Sequence, residues 1–163
     1  MILLLSKIYR NQVNRNLYVT LREEIEHCEN ILCLYQYRFE NVEYEISIRN
    51  EVLSYALPKN TLQPLIENYF VHGFNATKKD NLIQIRGEQV ENKGETMVRL
   101  VVEDNGNSVS KKRLEELRHR LQLSVFETQK DHGLALPNIH TRLRIVFGEN
   151  SGVRLSKVSP TSG

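Results

Sequence analysis

The chain has no apolar run long enough to cross a membrane. The longest near its start, Ile2 to Leu5, is also too short for the apolar region of a signal peptide. Any membrane segment is therefore expected to lie outside these residues. Cysteine is scarce: Cys28 and Cys33 are the two present, five apart in a stretch of helical spacing. On one helix their Cα atoms are too distant, and their side chains too divergent, for a disulfide. Neither has CxxC or Cys/His zinc spacing, and free thiols on a helix suit a reducing cytosol. An excess of one charge is missing too. Lys and Arg number 22 against 20 Asp and Glu, a formal net charge of +2, so nucleic acid is not implied as a partner, nor is an anionic surface. No internal repeat or low-complexity tract appears.

What is present describes one domain of ordinary size. A chain of 163 residues, 40% hydrophobic and 26% charged, can bury a real core. Residues 1–19 begin apolar and end in a polar, Asn-rich link, which reads as the tail of a helix. Thr20-Leu21-Arg22-Glu23 is a capping box that opens a second helix. Along it Leu21, Ile25, Cys28, Leu32, Tyr35 and Phe39 are spaced four, three, four, three, four. That seam fits a partner helix, as in a dimer, or packing on the helix's own domain.

Val42 to Ile48 alternates as a half-buried strand does. Leu82 to Gly87 and Thr96 to Glu103 predict two more strands, joined by a hairpin turn at Glu91 to Glu95. Ser110 can cap a helix with Leu114, Leu117 and Leu121 inward and a run of charged residues outward. Leu123 to His132 reads as a loop. A helix carrying Ile139, Leu143, Val146 and Phe147 follows, closed by Gly148, and Val153 to Val158 predicts a last strand.

Between the first two strands lies the stretch around which the rest is arranged, Thr61 to Gly73. Leu62, Leu65, Ile66, Tyr69 and Phe70 recur at helical spacing and predict a core-facing stripe. Pro64 is tolerable because it falls in the first turn. Glu67, Asn68 and His72 lie on another side, with Asn68 and His72 four apart. Taken alone, this is an ordinary amphipathic helix. Its neighbours suggest more. The third strand runs into Asp104-Asn105-Gly106-Asn107-Ser108, where a buried aspartate can accept from an exocyclic amine such as that of adenine. Gly106 leaves room for a flat ring. The glycine turn before the late helix, Gly133-Leu134-Ala135-Leu136, offers free amides and a favourable dipole to phosphates. Asn68 can give an oxygen to Mg²⁺.

In that order, these pieces resemble a known family. Leu62-Gln63-Pro64-Leu65-Ile66-Glu67-Asn68 with His72-Gly73 looks like the N-box of the sensor histidine kinases of the LytS/YesM type. Val102-Glu103-Asp104-Asn105-Gly106 resembles their first Gly box, and Gly133-Leu134-Ala135-Leu136-Pro137-Asn138-Ile139 their second. Thr20 to Glu26 resembles the segment that precedes this ATPase domain, and the likeness covers roughly residues 17–158. It implies an α+β fold, a two-layer α/β sandwich with a mixed sheet and helices on one face, shared with gyrase B and the MutL mismatch-repair ATPase. It also implies ATP and Mg²⁺ as cofactors. Asn68 would help hold Mg²⁺, Asp104 would bind the adenine amine and Gly106 would let the base approach. Leu123 to His132 would form the lid, and Gly133 would start the turn at the triphosphate. Glu67 would orient or deprotonate the acceptor imidazole, and His72, Ser108, Leu134, Ala135 and Leu136 would line the nucleotide.

The chain departs from the family pattern at three positions: Ser108 and Ala135 replace glycines, and Val71 replaces a basic residue. All three lie toward the lid and phosphates, so adenine is expected to be held normally and the triphosphate loosely. The acceptor histidine motif is absent. His27 stands on the wrong helix for it, His119 and His140 read as surface or satisfied histidines, and His132 adjoins the glycine turn. The implied division is residues 1–39 as the end of a dimerising phosphoacceptor region and 40–163 as the ATP-binding domain, shortened at its last strand. Implied partners are the upstream helical domain and a response regulator, in a homodimeric, membrane-anchored sensor whose cytoplasmic part this is. Two alternatives stand beside a kinase: a non-catalytic module dimerising through the seam, and a serine kinase of the same fold.

Overall fold

A computed structural model describes residues 3–7, 16–122 and 135–157. The chain divides into two compact units, Met1–Asn107 and Ser108–Gly163. The predicted lid, Leu123 to His132, lies outside the described residues, as do Gly133 and Leu134. No described helix is long and apolar enough to cross a membrane.

Unit 1 is α+β. Strand β1 (Tyr18–Thr20) leads directly into helix α1 (Leu21–Arg38). The polar link expected up to residue 19 therefore ends in a strand, because β3 (Ala56–Pro58) pairs with it antiparallel. Thr20 caps α1 as predicted: Glu23 N–H donates to its side chain, and Thr20 N–H donates to the Glu23 carboxylate at 2.7 Å. Caps of this kind contribute about 0.5–2 kcal/mol. The amides of Leu21 and Arg22, also left over by the helix, donate to the carbonyls of Tyr55 and Leu53.

The main sheet has the order β2-β4-β5, with β2 at Val42–Ile48, β4 at Asn81–Asn92 and β5 at Glu95–Asp104. The β2–β4 pair is parallel and the β4–β5 pair antiparallel, so the sheet is mixed. Strands β4 and β5 join through Lys93 and Gly94, both with positive φ, the backbone of a two-residue hairpin turn. The period of two sorts the sheet's faces. Tyr44, Ile46, Ile83, Ile85, Leu100 and Val102 look inward to α1 and to helix α2 (Gln63–Asn68). Glu45 with Gln84, and Arg86 with Glu103, pair on the outer face.

The seam of α1 faces this core. Leu21, Ile25, Cys28 and Leu32 are buried in one cluster with Val52, Leu57, Leu62, Ile66, Tyr69, Ile83 and Ile85, and Tyr35 packs against it. The stripe serves the helix's own domain. It is not an exposed dimer seam, which corrects that half of the expectation. Both cysteines are free, and burial raises the Cys28 thiol well above its ordinary value.

Unit 2 holds α3 (Lys111–Gln122) and α4 (Ala135–Phe147), which pack together. The Ser110 hydroxyl accepts from Arg113 N–H at the start of α3, as expected of a cap. Leu121 is buried, while the charged residues around it are mostly exposed. The predicted last strand is a correction: residues 153–157 form no strand. Side chains take the backbone groups a ladder would use. Arg118 donates through Nε and Nη2 to the Leu155 carbonyl, and Val153 N–H donates to His140 Nδ1 at 3.0 Å.

His140 supplies a pH prediction. Burial pulls its imidazole below the ordinary value, the backbone of Val153 opposes this, and the Arg144 charge adds to the lowering. With the folded value below the unfolded one, the unfolded chain protonates first. The contribution is therefore fully present above the unfolded value of about 6.5 and lost as pH falls through the folded one. Thermal melts taken down through that window should fall less steeply for His140→Asn, whose amide oxygen keeps the Val153 bond without titrating.

Candidate functional site

The site in unit 1 is built where α2 ends and β5 ends. Pro64 sits in the first turn of α2, where its missing N–H has no helical partner to lose. After Asn68 the helix widens into a π-helical turn, Tyr69–Gly73, with Phe74 N–H donating to the Tyr69 carbonyl at 2.7 Å. The expected single α-helix up to Gly73 is thus interrupted, a distortion common at functional positions. Leu62, Ile66 and Tyr69 are buried, as the stripe predicts, while Glu67 and His72 are exposed and Asn68 is half-buried.

The loop after β5 docks on this turn. Asn107 N–H donates to the Gly73 carbonyl at 2.7 Å, and Gly106 N–H donates to Asp104 Oδ1 at 2.9 Å. A Cβ on Gly106 would stand 2.3 Å from the Gly73 oxygen and 2.6 Å from its carbonyl carbon. Gly106 is therefore required by the protein's own backbone, whatever else approaches it. A Cβ on Gly73 would meet Tyr69 Cδ2 at 2.9 Å and Asp104 Oδ1 at 3.3 Å, so these side chains converge on the turn. Burial and then the Asp104 charge push the Tyr69 phenol up to about 12.

Asp104 corrects one expectation. It is exposed, not buried, because it stands opposite Ile83 at the very end of the ladder, where the cover of the sheet stops. With Oδ1 engaged by Gly106, its other oxygen has no hydrogen-bond partner among the described residues. Asn105 prolongs the ladder with its side chain: Oδ1 accepts from Leu82 N–H at 2.8 Å and Nδ2 donates to the Asp80 carbonyl at 2.7 Å. Behind it the fully buried Asn81 ties down the 75–81 connector through the backbone of Asn75 and Lys78.

Glu67 accepts from Gln63 Nε2 at 2.8 Å. Asn68 makes no side-chain hydrogen bond to the described residues, so its amide oxygen is available. One such hard donor suits Mg²⁺ when phosphate oxygens and waters complete the shell. Among the described residues no group of three or more His, Cys, Asp or Glu could hold a metal unaided. Ser108 is exposed at the start of unit 2, and Ala135 and Leu136 open α4, half-buried.

The long-range bonds of two residues in this neighbourhood escape a reading of the sequence. The carboxylate of Glu24, 1% exposed, accepts from the amides of Asn60 at 3.0 Å and Leu62 at 2.8 Å. His27, 3% exposed, bonds through Nε2 to Gln63 Oε1 at 2.9 Å. Their partners lie 36 or 38 residues away, and no local pattern announces such bonds.

The fold and site define an α+β sandwich with a mixed sheet, an architecture compatible with the histidine kinase and gyrase B type of ATPase. The chain is 34% identical over 139 residues to the sensor protein LytS of Bacillus cereus and, equally, to that of Bacillus anthracis, matching 84% of this chain. It is 28% identical over 142 residues, 86% of the chain, to the sensor histidine kinase/phosphatase LytS of Staphylococcus aureus MRSA252. The chain is a relative of the LytS-type sensor histidine kinases, and it spans 22–23% of the length of these relatives. No protein-family model matches it.

Proposed function

We propose that this chain binds Mg-ATP and presents the γ-phosphoryl group for transfer to a histidine on an upstream helical domain. A response-regulator aspartate would then take the group. The observation that carries the reading is the joint at Gly73, where the Asp104–Asn107 loop is bonded to the end of the helix bearing Glu67, Asn68 and His72. Asp104 and the helix bearing Asn68 are thereby held in one unit. Kinship to sensor histidine kinases supports it.

In this reading the free oxygen of Asp104 accepts the adenine amine, and the Gly106 amide keeps the carboxylate turned. Asn68 holds Mg²⁺, which when bound neutralises charge on the phosphates. Glu67 orients or deprotonates the acceptor imidazole, and catalysis is mostly positioning. Residues 133–136 would receive the triphosphate. The full sensor would be a membrane-anchored homodimer with its kinase part in the cytoplasm.

Calorimetric titration with ATP, with and without Mg²⁺, tests the reading. Magnesium-dependent binding should weaken about tenfold to hundredfold in Asp104→Asn, as loss of a hydrogen bond to a charged group implies. A folded chain that binds no nucleotide would sink it. A second reading, a non-catalytic module with loosened phosphates, is favoured by Ser108, Ala135 and Val71, the last 71% exposed. It predicts nearly equal affinity for ADP and ATP and no transfer to an acceptor helix. A serine kinase would instead give an acid-stable product.

A further inference from the structure

We infer that His27 and Gln63 are positioning residues that fix which carboxylate oxygen of Glu67 faces the reacting groups. The inference rests on the role proposed for Glu67 above. It starts from a chain of two hydrogen bonds, His27 Nε2 to Gln63 Oε1 at 2.9 Å and Gln63 Nε2 to Glu67 Oε1 at 2.8 Å.

The chemistry of each group forces the next. An ionised carboxylate only accepts, so Gln63 must turn its NH₂ toward Glu67. Its amide oxygen then faces His27, whose Nε2 must carry a hydrogen. In the neutral ring Nδ1 is left bare. That nitrogen is buried and has no partner among the described residues, as suits a nitrogen without a hydrogen. One tautomer on α1 thereby sets the amide on α2, and the amide occupies Oε1 of Glu67. Oε2 is left for the acceptor imidazole.

The anchor behind this chain is rigid. Glu24 lies three residues before His27 on α1 and holds the amides at the entry to α2. Further along α1, Tyr35 stacks on Phe70 at a centroid distance of 3.6 Å. The Tyr35 hydroxyl also feels the Glu67 carboxylate, after burial, as an effect opposing its ionisation. Helix α1 thus touches the segment bearing Glu67 at two points, through His27 on Gln63 and Tyr35 on Phe70. A plain packing contact plus an exposed i,i+4 pair would explain the same distances, but it would affect stability alone.

The test compares wild type with His27→Phe, His27→Gln and Gln63→Met. Phe and Met keep most of the volume and remove the bonds, whereas Gln at position 27 keeps a donor. Phosphoryl transfer from labelled Mg-ATP is followed to an acceptor-histidine helix supplied in trans. The expected result is kcat lowered about tenfold in His27→Phe and Gln63→Met, within the range of small misplacements. KM for ATP should stay within about twofold, and His27→Gln should recover most of the rate. If His27→Phe does not fold, the half-buried Gln63→Met carries the comparison. Long-range ¹H–¹⁵N spectra of histidine-labelled protein should show His27 protonated on Nε2, and Gln63→Met should shift that resonance. A ring protonated on Nδ1 only, or folded variants that transfer at the wild-type rate, overturns the relay. A wild-type chain that binds no Mg-ATP overturns the proposed function and the relay with it, and calorimetry detects this before any variant is made.

Discussion

Glu24→Ala is expected to lower stability by about 2–5 kcal/mol, because it leaves two buried or part-buried backbone donors without their acceptor. The carboxylate is 1% exposed and receives the amides of Asn60 and Leu62. Those residues form the entry to α2, and Asn60 is held there at a φ of 58°, a conformation an asparagine tolerates better than most. Alanine cannot reach either amide. Glu24→Gln should fall between, since its single amide oxygen can accept one donor while its NH₂ confronts the other. In a chain of this size the alanine variant should melt about 5–15 °C lower. Nucleotide affinity should fall as well, because α2 carries Glu67 and Asn68 from that anchor. Wild-type melting in Glu24→Ala would mean that the two amides find other partners, and would remove the anchor from the account.

Gly106→Ala is expected to cost about 2–4 kcal/mol and to displace the loop after β5. The obstacle is backbone: the added carbon would stand 2.3 Å from the Gly73 carbonyl oxygen, with Asp104 Oδ1 at 2.9 Å. The Asp104 carboxylate is a side-chain end and can turn, but the Gly73 carbonyl is backbone and cannot swing aside. Relief requires breaking the Asn107 to Gly73 bond and turning Asp104 out of its contact with the Gly106 amide. The variant should therefore lose adenine recognition as well as stability. Denaturant melts read the first effect and calorimetry with ADP the second. Retention of both would show that the loop has room that the close approach denies.

Several local signals are answered within a residue or two, although β4 runs on to Asn92 and the helix after Leu62 changes at Tyr69. Thr20 with Glu23, the alternation from Val42 to Ile48, the stripe from Leu62 to Tyr69 and the cap at Ser110 each rest on bonds or burial between near neighbours, so their residue types report them. Errors arise where a distant group intervenes. Tyr18 and Val19 fall in the expected link, which reached residue 19, because their partners in Ala56–Pro58 are far along the chain. Val153 to Val158 reads as a strand by alternation, yet Arg118 and His140 take its backbone groups. Asp104 reads as buried because the strand before it is apolar, while its position at the ladder's end leaves it exposed.

The sequence alone thus determined most of the elements, though not β1 or the end of the chain, with the order of the motifs and the candidates Glu67, Asn68, Asp104 and Gly106, since short-range spacing and residue chemistry suggest these. Tertiary structure decided how they are held. It buried the α1 seam in its own core and widened the helix at Tyr69–Gly73. It pressed Gly106 against Gly73 and ran hydrogen bonds from Glu24 and His27 to α2. Such contacts join residues more than thirty positions apart, and only the closed fold brings them within reach.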